Sequence, residues 1–360
     1  MFRFPAALIA LSLASLPSVL AAAEPLVIAH RGASGLRPEH TLAAYDLAIA
    51  QGADFIETDL VMTRDRQLVA RHENEISGTT DIAAHPEFAD RKRTRTIDGQ
   101  SITGWFTEDF TLAELRGLKA RERLPELRPQ SAAHDGEQGV PTLAEVVALI
   151  RKREAELGRR IGLYAEIKHG HYFQGIGLAM EAPVAAELAR LGYKDKADPM
   201  FIESFEVNNL KALRKLTGVR LVQLLDETGA PADGAVASYA AMTTPEGLAA
   251  IAAYADGIGP AKAQIIPRDA DGRSLPPTTL VADAHRAGLV VHPWTFRSEN
   301  AFLPTELHRG EGPAAHGDAA AEVRQFIAAG VDGLFSDYPG EAVAARKAGA
   351  EEAAAAAAAR

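Results

Sequence analysis

Cysteine is absent from this chain of 360 residues. The absence excludes disulfide bonds, thiolate metal sites, thiol nucleophiles and a lipid-modified N-terminal cysteine. Any metal ion must therefore be held by oxygen or imidazole groups.

An excess of basic residues is also lacking. Lys and Arg number 38 against 48 Asp and Glu, which gives a formal net charge of −10 at pH 7. This balance argues against nonspecific binding to nucleic acid, which depends on cationic side chains. An anionic substrate would need a local positive site, and Arg31, Lys168 and a bound cation could supply it.

The N-terminus lacks an apolar run long enough for a confident membrane span. It has the pattern of a secretory signal instead, with Arg3, an apolar segment over 6–16 and small residues at 21–23. We therefore predict a signal peptide over residues 1–23, cleaved near Ala23, and a periplasmic or secreted mature chain. An uncleaved membrane anchor is the alternative.

After the signal, short apolar runs alternate with segments of helical periodicity. This alternation predicts a parallel sheet, and about eight strand and helix units predict an α/β fold of the (β/α)8 or TIM-barrel type. The predicted strands are 26–30, 55–61, 68–71, 161–167, 200–204, 220–225, 257–259, 289–295 and 333–336. The predicted helices are 39–51, 142–157, 178–191, 206–217, 245–255, 277–287 and 319–329.

Nine predicted strands exceed the eight places of such a barrel. The polar turn TRDR joins the second and third of them without a helix, which predicts an antiparallel hairpin. A centre near Arg64 and Asp65 would place Glu57 opposite His72. In any register, His72 returns to the neighbourhood of the carboxylates on the second strand.

Residues 75–140 interrupt the alternation because they are polar, charged and poor in periodic structure. We predict an insertion of about 65 residues after the second or third strand, which would shape the substrate pocket of a barrel. Its basic cluster RKRTRT, residues 91–96, is interpreted as a solvated loop. The barrel is predicted over 24–345 with a second loop at 298–317, and the alanine-rich tail, 346–360, is expected to be a frayed helix or disordered.

Two carboxylates lie two residues apart on the second predicted strand. Glu57 and Asp59 point to the same face at this spacing, where their charges repel unless a proton or a cation lies between them. A hard divalent cation is the preferred interpretation, and a solvated edge strand is the alternative. Glu166 is predicted as the third ligand, with an internal salt bridge to Lys168 as the alternative.

Two histidines end apolar runs in the same part of the sequence. An imidazole titrates at about pH 6.5, so His30 and His72 could hold opposite protonation states and act as an acid and base pair, in either order. Arg31 offers a planar fork that fits two oxygens of an anionic substrate, and Lys168 adds a point charge. The alternative for Arg31 is a salt bridge at the barrel rim.

Aromatic and further histidine side chains are weaker candidates. Trp294, at the end of an apolar run, is predicted to wall the substrate pocket, although it could equally belong to the core. Phe205 and Phe335 are weaker candidates for the same wall. His169 and His171 lack a matched third ligand and are predicted to be rim residues.

Eight motifs extend from near the predicted mature N-terminus to near the end of the chain. They are HRGASG (30–35), PEHTLAAY (38–45), GADFIETDLVMTRD (52–65), RHENEISGTTD (71–81), YAEIKHGHYF (164–173), FIESFE (201–206), VHPWTFR (291–297) and GLFSDYP (333–339). As a set they resemble the glycerophosphodiester phosphodiesterases, specifically the secreted bacterial type. Two departures from the family pattern, HEN at 72–74 and His40, do not fall on the residues predicted to be catalytic.

The resemblance implies a metal-dependent phosphodiesterase. Its substrates would be glycerophosphodiesters such as glycerophosphocholine and glycerophosphoethanolamine, cleaved to sn-glycerol 3-phosphate and an alcohol. It also implies that Glu166 completes an oxygen-rich site with Glu57 and Asp59 for a divalent cation, Ca²⁺ before Mg²⁺.

Two other functions stay open at this point. A related phospholipase D-like barrel would act on lysophospholipids or sphingomyelin, and a long apolar groove would favour it. A non-catalytic binding protein on the same barrel would be favoured by loss of either histidine, and both are present. The alcohol, the native metal, the oligomeric state and the attacking group, water or a substrate hydroxyl, are left open by the sequence.

Overall fold

The computed structural model describes residues 24–358 of the chain. The predicted signal peptide, residues 1–23, lies outside the described residues. Between residues 24 and 358, no helix combines the length and the apolar character that a membrane crossing requires.

Eight parallel strands form the central sheet. Their order around it is Val290–Val291, Gly257–Pro260, Arg220–Leu225, Met200–Ser204, Gly162–Ile167, Phe55–Met62, Leu26–Ala29 and Gly333–Ser336. Residues 291–296 hydrogen-bond to the backbone of 332–335, which brings the two ends of the sheet together as a barrel. The predicted (β/α)8 fold is confirmed. The strands are β1 (Leu26–Ala29), β2 (Phe55–Met62), β3 (Leu68–Ala70), β4 (Arg93–Ile97), β5 (Gln100–Gly104), β6 (Gly162–Ile167), β7 (Met200–Ser204), β8 (Arg220–Leu225), β9 (Gly257–Pro260), β10 (Val290–Val291) and β11 (Gly333–Ser336).

Helices surround the barrel and follow most of its strands. The longest helix between two barrel strands begins at a capping box, in which Thr142 and Glu145 satisfy free backbone N–H groups, and it ends at Gly158 with φ 64°. The helices are α1 (Leu42–Ala50), α2 (Leu112–Leu115), α3 (Pro129–Ala132), α4 (Leu143–Leu157), α5 (Gly170–Gly175), α6 (Glu181–Arg190), α7 (Val207–Leu213), α8 (Tyr239–Met242), α9 (Pro245–Ala252), α10 (Leu280–Arg286), α11 (Ala319–Ala328) and α12 (Pro339–Ala358).

Alternation along the strands separates two apolar layers. Ile56 and Leu60 of β2 belong to the large core between the barrel and the helices. Phe55 of the same strand packs inside the barrel with Tyr164 and Phe201. Because successive side chains alternate, the positions that follow Phe55 at steps of two also face the barrel interior. The strands therefore direct their last inward residues to the carboxyl end of the barrel, where active sites of this fold lie.

The predicted hairpin between β2 and β3 is present, but its register is shifted by one residue. The pairs Leu60–Ala70, Val61–Val69 and Met62–Leu68 centre the turn on Asp65. Continued at the same register, Glu57 lies opposite residue 73, so the predicted pairing of Glu57 with His72 is wrong. The cause is an odd-numbered turn, closed by Thr63 and Gln67, with Arg66 in the left-handed region at φ 62°.

The insertion between β3 and α4 has more regular structure than the sequence prediction gave it. Strands β4 and β5 pair as an antiparallel hairpin around the two residues Asp98 and Gly99. The basic cluster at 91–96 is therefore mainly strand rather than the predicted solvated loop. Arg95 lies 2.7 Å from Asp109, so part of the positive charge is neutralised within the insertion.

The tail does not begin at a break in structure. Helix α12 starts at Pro339 and continues through the predicted boundary at 345/346 to Ala358. Just past that boundary, Arg346 forms an ion pair with Asp54, 2.5 Å away, beside the first barrel strand.

Candidate active site

A cavity of about 270 Å³ opens at the carboxyl end of the barrel. Seven of the eight predicted site residues line it, and Asp59 lies directly behind its wall, 1% exposed. The seven are His30, Arg31, Glu57, His72, Glu166, Lys168 and Trp294. The structure thus brings together residues that are up to 264 positions apart in the sequence.

Three carboxylates form a row across neighbouring strands at the base of the cavity. The β2–β6 register pairs Asp59 with Glu166, and the β6–β7 register pairs Glu166 with Glu203. Glu57 lies two residues before Asp59 on the same face of β2. Glu203 was not predicted from the sequence, although the quoted motif FIESFE contains it. Its neighbour relation to Glu166 depends on strand order and register.

The electrostatics of this carboxylate cluster favour a bound cation. Burial, together with repulsion from Asp59 and Glu203, raises the pKa of Glu57 well above its usual range. Burial and Asp59 raise the pKa of Glu166 to about 8, although Lys168 opposes the shift. A divalent cation would relieve this repulsion, as it does in oxygen-rich sites.

The donor set consists of carboxylate oxygens, which are the ligands that a hard cation prefers. The Oε2 atom of Glu203 is buried and has no hydrogen-bond partner among the described residues, so it is free to serve as a ligand. The other carboxylates bond to the protein: Glu57 accepts the Arg31 backbone N–H at 2.5 Å, and Glu166 accepts from Lys168 at 2.9 Å. Across residues 24–358, no three His, Asp or Glu side chains are already arranged as a metal site.

His30 lies on one side of the cavity and is held by a carboxylate. Its Nδ1 is 2.6 Å from Oδ1 of Asp337, which follows β11. The other oxygen of Asp337 accepts from Arg128 at 2.6 Å and from Arg297 at 2.9 Å. Burial and the nearby Arg31 lower the pKa of His30 to about 4 despite Asp337, so the imidazole is neutral at pH 7.

His72 has a similar arrangement on the insertion side of the cavity. Its Nδ1 is 2.7 Å from Oε1 of Glu73, and its Nε2 accepts from the Lys168 ammonium at 3.2 Å. Burial, Arg31 and Lys168 lower the pKa of His72 to about 3. Both histidines therefore present a neutral ring whose Nδ1 is engaged by a carboxylate, a pattern that orients an imidazole for proton transfer.

Three cationic side chains line the cavity beside the histidines. Arg31, with φ 61°, forms ion pairs with Glu39 and Asp59, each at 3.3 Å. Lys168 is buried, and the carboxylate of Glu166 helps to raise its pKa above the usual value although burial lowers it. Arg297, which the sequence prediction missed, lines the same wall. Such charges can neutralise an anionic phosphodiester.

Apolar side chains cover the opposite wall. Trp294 packs edge-to-face against Phe205, with ring centroids 5.7 Å apart, and its indole N–H donates to the Gly259 carbonyl at 2.9 Å. Phe335, the other weak candidate, also lines the cavity. The predicted aromatic wall is therefore present in the geometry, while contact with a ligand stays a prediction.

The two sequence departures touch the site more closely than expected. His40 is fully buried, and its Nε2 lies 2.7 Å from Oδ2 of Asp59, a predicted metal ligand. Glu73, the middle residue of HEN, holds His72. Glu73 therefore contacts the predicted catalytic residue His72 directly, against the expectation from the sequence, whereas His40 contacts the predicted metal ligand Asp59.

One known protein family matches most of this chain, including the residues that line the cavity. Residues 30–341 match the model of the Glycerophosphoryl diester phosphodiesterase family. The chain belongs to this family. The resemblance inferred from the eight motifs is thus confirmed at the level of the family, as is the prediction that the chain is an enzyme of the phosphodiesterase class.

Curated relatives of the family cover most of the chain. A glycerophosphodiester phosphodiesterase of Arabidopsis thaliana, GDPD6, is 36% identical over 334 residues, which are 89% of this chain and 86% of the relative. A glycerophosphodiester phosphodiesterase of Haemophilus influenzae is 28% identical over 88% of each chain. Since the relatives include a plant protein, the secreted bacterial type stays a prediction.

Solved structures share the barrel. A protein of Silicibacter pomeroyi has a TM-score of 0.62 at 24% identity, covering 89% of this chain and 92% of its own. A phosphodiesterase of Oleispira antarctica, solved in complex with the product sn-glycerol-3-phosphate, has a TM-score of 0.54 at 22% identity, covering 89% and 96%. At these identities the likeness supports the fold of the family.

Proposed function

We propose that the chain hydrolyses glycerophosphodiesters to sn-glycerol 3-phosphate and an alcohol, with a divalent cation and a pair of histidines. The observation that carries the proposal is the single cavity in which two neutral, carboxylate-held imidazoles, His30 and His72, line the wall together with cationic and acidic side chains. Phosphodiester hydrolysis needs these functions together, because the substrate is anionic and both the attacking and the leaving oxygen exchange protons.

The histidines exchange those protons. One ring accepts the proton of the attacking oxygen at its Nε2 atom. The other ring must carry a proton on Nε2 before it can deliver one to the departing alkoxide. Since both rings are neutral in the free protein, the anionic diester has to raise the pKa of that ring when it binds. Arg31, Lys168 and Arg297 hold the phosphate oxygens, and their positive charge reduces the repulsion that an anionic diester exerts on a nucleophile.

Glu57, Asp59 and Glu166 would hold the cation, with Glu203 as a further oxygen donor. A bound Ca²⁺ or Mg²⁺ supplies positive charge that polarises a phosphoryl oxygen. The raised pKa values of Glu57, Glu166 and Glu203 support this assignment, because burial and the neighbouring carboxylates penalise their ionised forms in the absence of a cation.

The alcohol part of the substrate leaves toward solvent. A second cavity of about 680 Å³ adjoins the first, shares Trp294 and Arg297 with it and reaches Phe302 in the loop 298–317. We place the glycerol against Trp294 and the variable alcohol in this open region. The product complex of the Oleispira antarctica protein, with sn-glycerol-3-phosphate, supports a small phosphorylated ligand.

We also propose that the protein acts outside the cytoplasm, in the periplasm or as a secreted enzyme. The support is the signal-like pattern of residues 1–23. Cell fractionation with mass spectrometry of the mature N-terminus tests it. Retention of residues 1–23 on cytoplasmic protein would contradict export.

The activity is tested with glycerophosphocholine and glycerophosphoethanolamine as substrates of the purified mature chain. Turnover should stop in EDTA and return when Ca²⁺ or Mg²⁺ is added in excess. Specificity constants should differ by no more than about tenfold among small alcohols, because a group that faces solvent contributes little discrimination. A clear preference for a lysophospholipid or sphingomyelin would favour the phospholipase alternative, and cation binding without turnover would favour a binding protein.

A further inference from the structure

The carboxylate that holds His72 is itself held by a second histidine. Oε2 of Glu73 lies 2.9 Å from Nε2 of His169, at the start of α5. The other ring nitrogen of His169, Nδ1, lies 2.6 Å from Oδ2 of Asp98. Polar contacts of 2.6 to 2.9 Å therefore run from Nδ1 of His72 through Glu73 and His169 to Asp98, and Arg123 approaches the same His72 nitrogen at 3.4 Å.

The end of this chain of bonds belongs to the insertion. Asp98 and Gly99 form the two-residue turn between β4 and β5, and both have positive φ angles, 48° and 80°. This is the geometry of a tight hairpin turn, which an Asp-Gly pair favours. The turn directs the Asp98 carboxylate onto His169, so the hairpin reaches the active site through one side chain.

His169 adopts a backbone conformation that few residues other than glycine adopt. Its φ is 52°, in the left-handed region. Such a conformation persists when surrounding contacts hold it, and it is concentrated at functional sites. Here the contacts are the two carboxylates, each bonded to a different nitrogen of a ring whose side chain is 12% exposed.

Charges alternate along the chain of bonds. Burial lowers the pKa of His169, but its hydrogen bonds to Asp98 and Glu73 outweigh burial and raise the pKa to about 9. Burial raises the pKa of Glu73, and the bonds to His169 and His72 outweigh it and hold the pKa below the usual range. At neutral pH an imidazolium therefore lies between two carboxylates.

We propose that His169 and Asp98 are positioning residues for His72, and that the β4–β5 hairpin is thereby part of the proton-transfer apparatus. His169 holds Oε2 of Glu73, so that Oε1, which lies 2.7 Å from Nδ1 of His72, accepts the proton of that nitrogen. The lone pair of His72 is thus kept on Nε2, toward Lys168 and the cavity. This proposal rests on the proposed function, because it assumes that His72 transfers a proton during phosphodiester hydrolysis.

The expected effects decrease with distance from His72. Glu73→Gln should lower kcat about 10- to 100-fold, His169→Ala about tenfold and Asp98→Asn about threefold, as is usual for groups that orient a reactive side chain. KM should change less than about twofold, since none of the three contacts the proposed phosphate site. His169→Gln should recover part of the loss, because its amide can still donate to Glu73.

A double variant distinguishes a positioning role from an independent one. If His169 acts only through Glu73, the variant Glu73→Gln/His169→Ala should be no slower than Glu73→Gln alone. Ser101→Ala, exposed on the same hairpin, is the matched control and should keep the wild-type kcat. Asn is well suited to the conformation of residue 98, so Asp98→Asn removes charge while preserving the turn.

A spectroscopic measurement on the free protein makes the test independent of turnover. The Nδ1 proton of His72 should give a downfield resonance that Glu73→Gln abolishes and that His169→Ala and Asp98→Asn shift, with Ser101→Ala unchanged. If the wild-type protein had no diesterase activity, the proposed function would be overturned. The resonance would then decide by itself whether His169 and Asp98 position His72. The positioning role of His169 and Asp98 would be overturned by any of three results. These are a His72 resonance that does not move, an unchanged kcat in His169→Ala, and losses of kcat that multiply in the double variant.

Discussion

Acid sensitivity of folding should be traceable to His292 in the barrel interior. This side chain is 1% exposed, and its Nδ1 lies 2.9 Å from the hydroxyl of Tyr164. Burial lowers the pKa of His292 to about 4, from 6.5 in an unfolded chain, although Asp332 opposes the shift. The folded state therefore binds a proton here less readily than the unfolded state does.

The sign and size follow from this difference. The stability associated with a neutral His292 is complete above pH 6.5 and declines as the pH falls toward 4, because only the unfolded state gains the proton. A shift of about 2.5 pKa units corresponds to about 3 kcal/mol at the low-pH limit, of which about 2 kcal/mol is lost by pH 5.

Urea unfolding of the wild type and of His292→Gln, at pH 7.5 and at pH 5, measures how much His292 contributes to the change in unfolding free energy with pH. The variant is expected to be less stable at pH 7.5, but its loss between the two pH values should be about 2 kcal/mol smaller than that of the wild type. Other buried histidines contribute equally to both proteins and cancel in the difference. Equal losses in the two proteins would refute the assignment.

Four further substitutions address the active site. His30→Ala and His72→Ala should each lower kcat about 10²- to 10⁴-fold without changing the melting temperature. The control His134→Ala, in the insertion, should retain wild-type kinetics. A near-normal kcat in folded His30→Ala or His72→Ala would show that the histidine removed is structural. Glu203→Gln should raise the melting temperature in EDTA, because it removes a buried carboxylate that is repelled by Glu166 and Asp59. The same variant should gain less stability from added Ca²⁺ than the wild type does. An equal gain would exclude Glu203 as a ligand. Arg31→Lys should raise KM about tenfold in steady-state assays through loss of the planar fork, and an unchanged KM would remove Arg31 from the phosphate site.

Much of the fold and the site follows from local patterns. Periodicity predicts all the barrel strands, and the seven helices that were assigned, within a few residues, because strand and helix repeats differ clearly in a buried sheet. Helix α12 (Pro339–Ala358) was missed from Pro339 to residue 345. Glu57 and Asp59 were paired by the two-residue repeat of a strand. Glu166 was identified by a charge inside an apolar run, which is unfavourable without a partner.

The remaining features depend on distant contacts. Asp337 meets His30 across 307 positions, and Glu203 joins the carboxylates only through the order and register of β6 and β7. The register error at Glu57 arose because turn length was not determined by the sequence pattern. The β4–β5 hairpin had a local signal, the dipeptide Asp98-Gly99 between alternating residues, that could have been recognised.

We propose above that the protein cleaves the bond between the phosphate and the variable alcohol of a glycerophosphodiester, and leaves the phosphate on glycerol. Product analysis tests it most directly, with purified chain, glycerophosphocholine and Ca²⁺, and with His72→Ala as the matched control. The account predicts sn-glycerol 3-phosphate and choline in equal amounts, with little of either from the variant. Phosphocholine and glycerol as products, or no cleavage by a folded, cation-loaded protein, would contradict it.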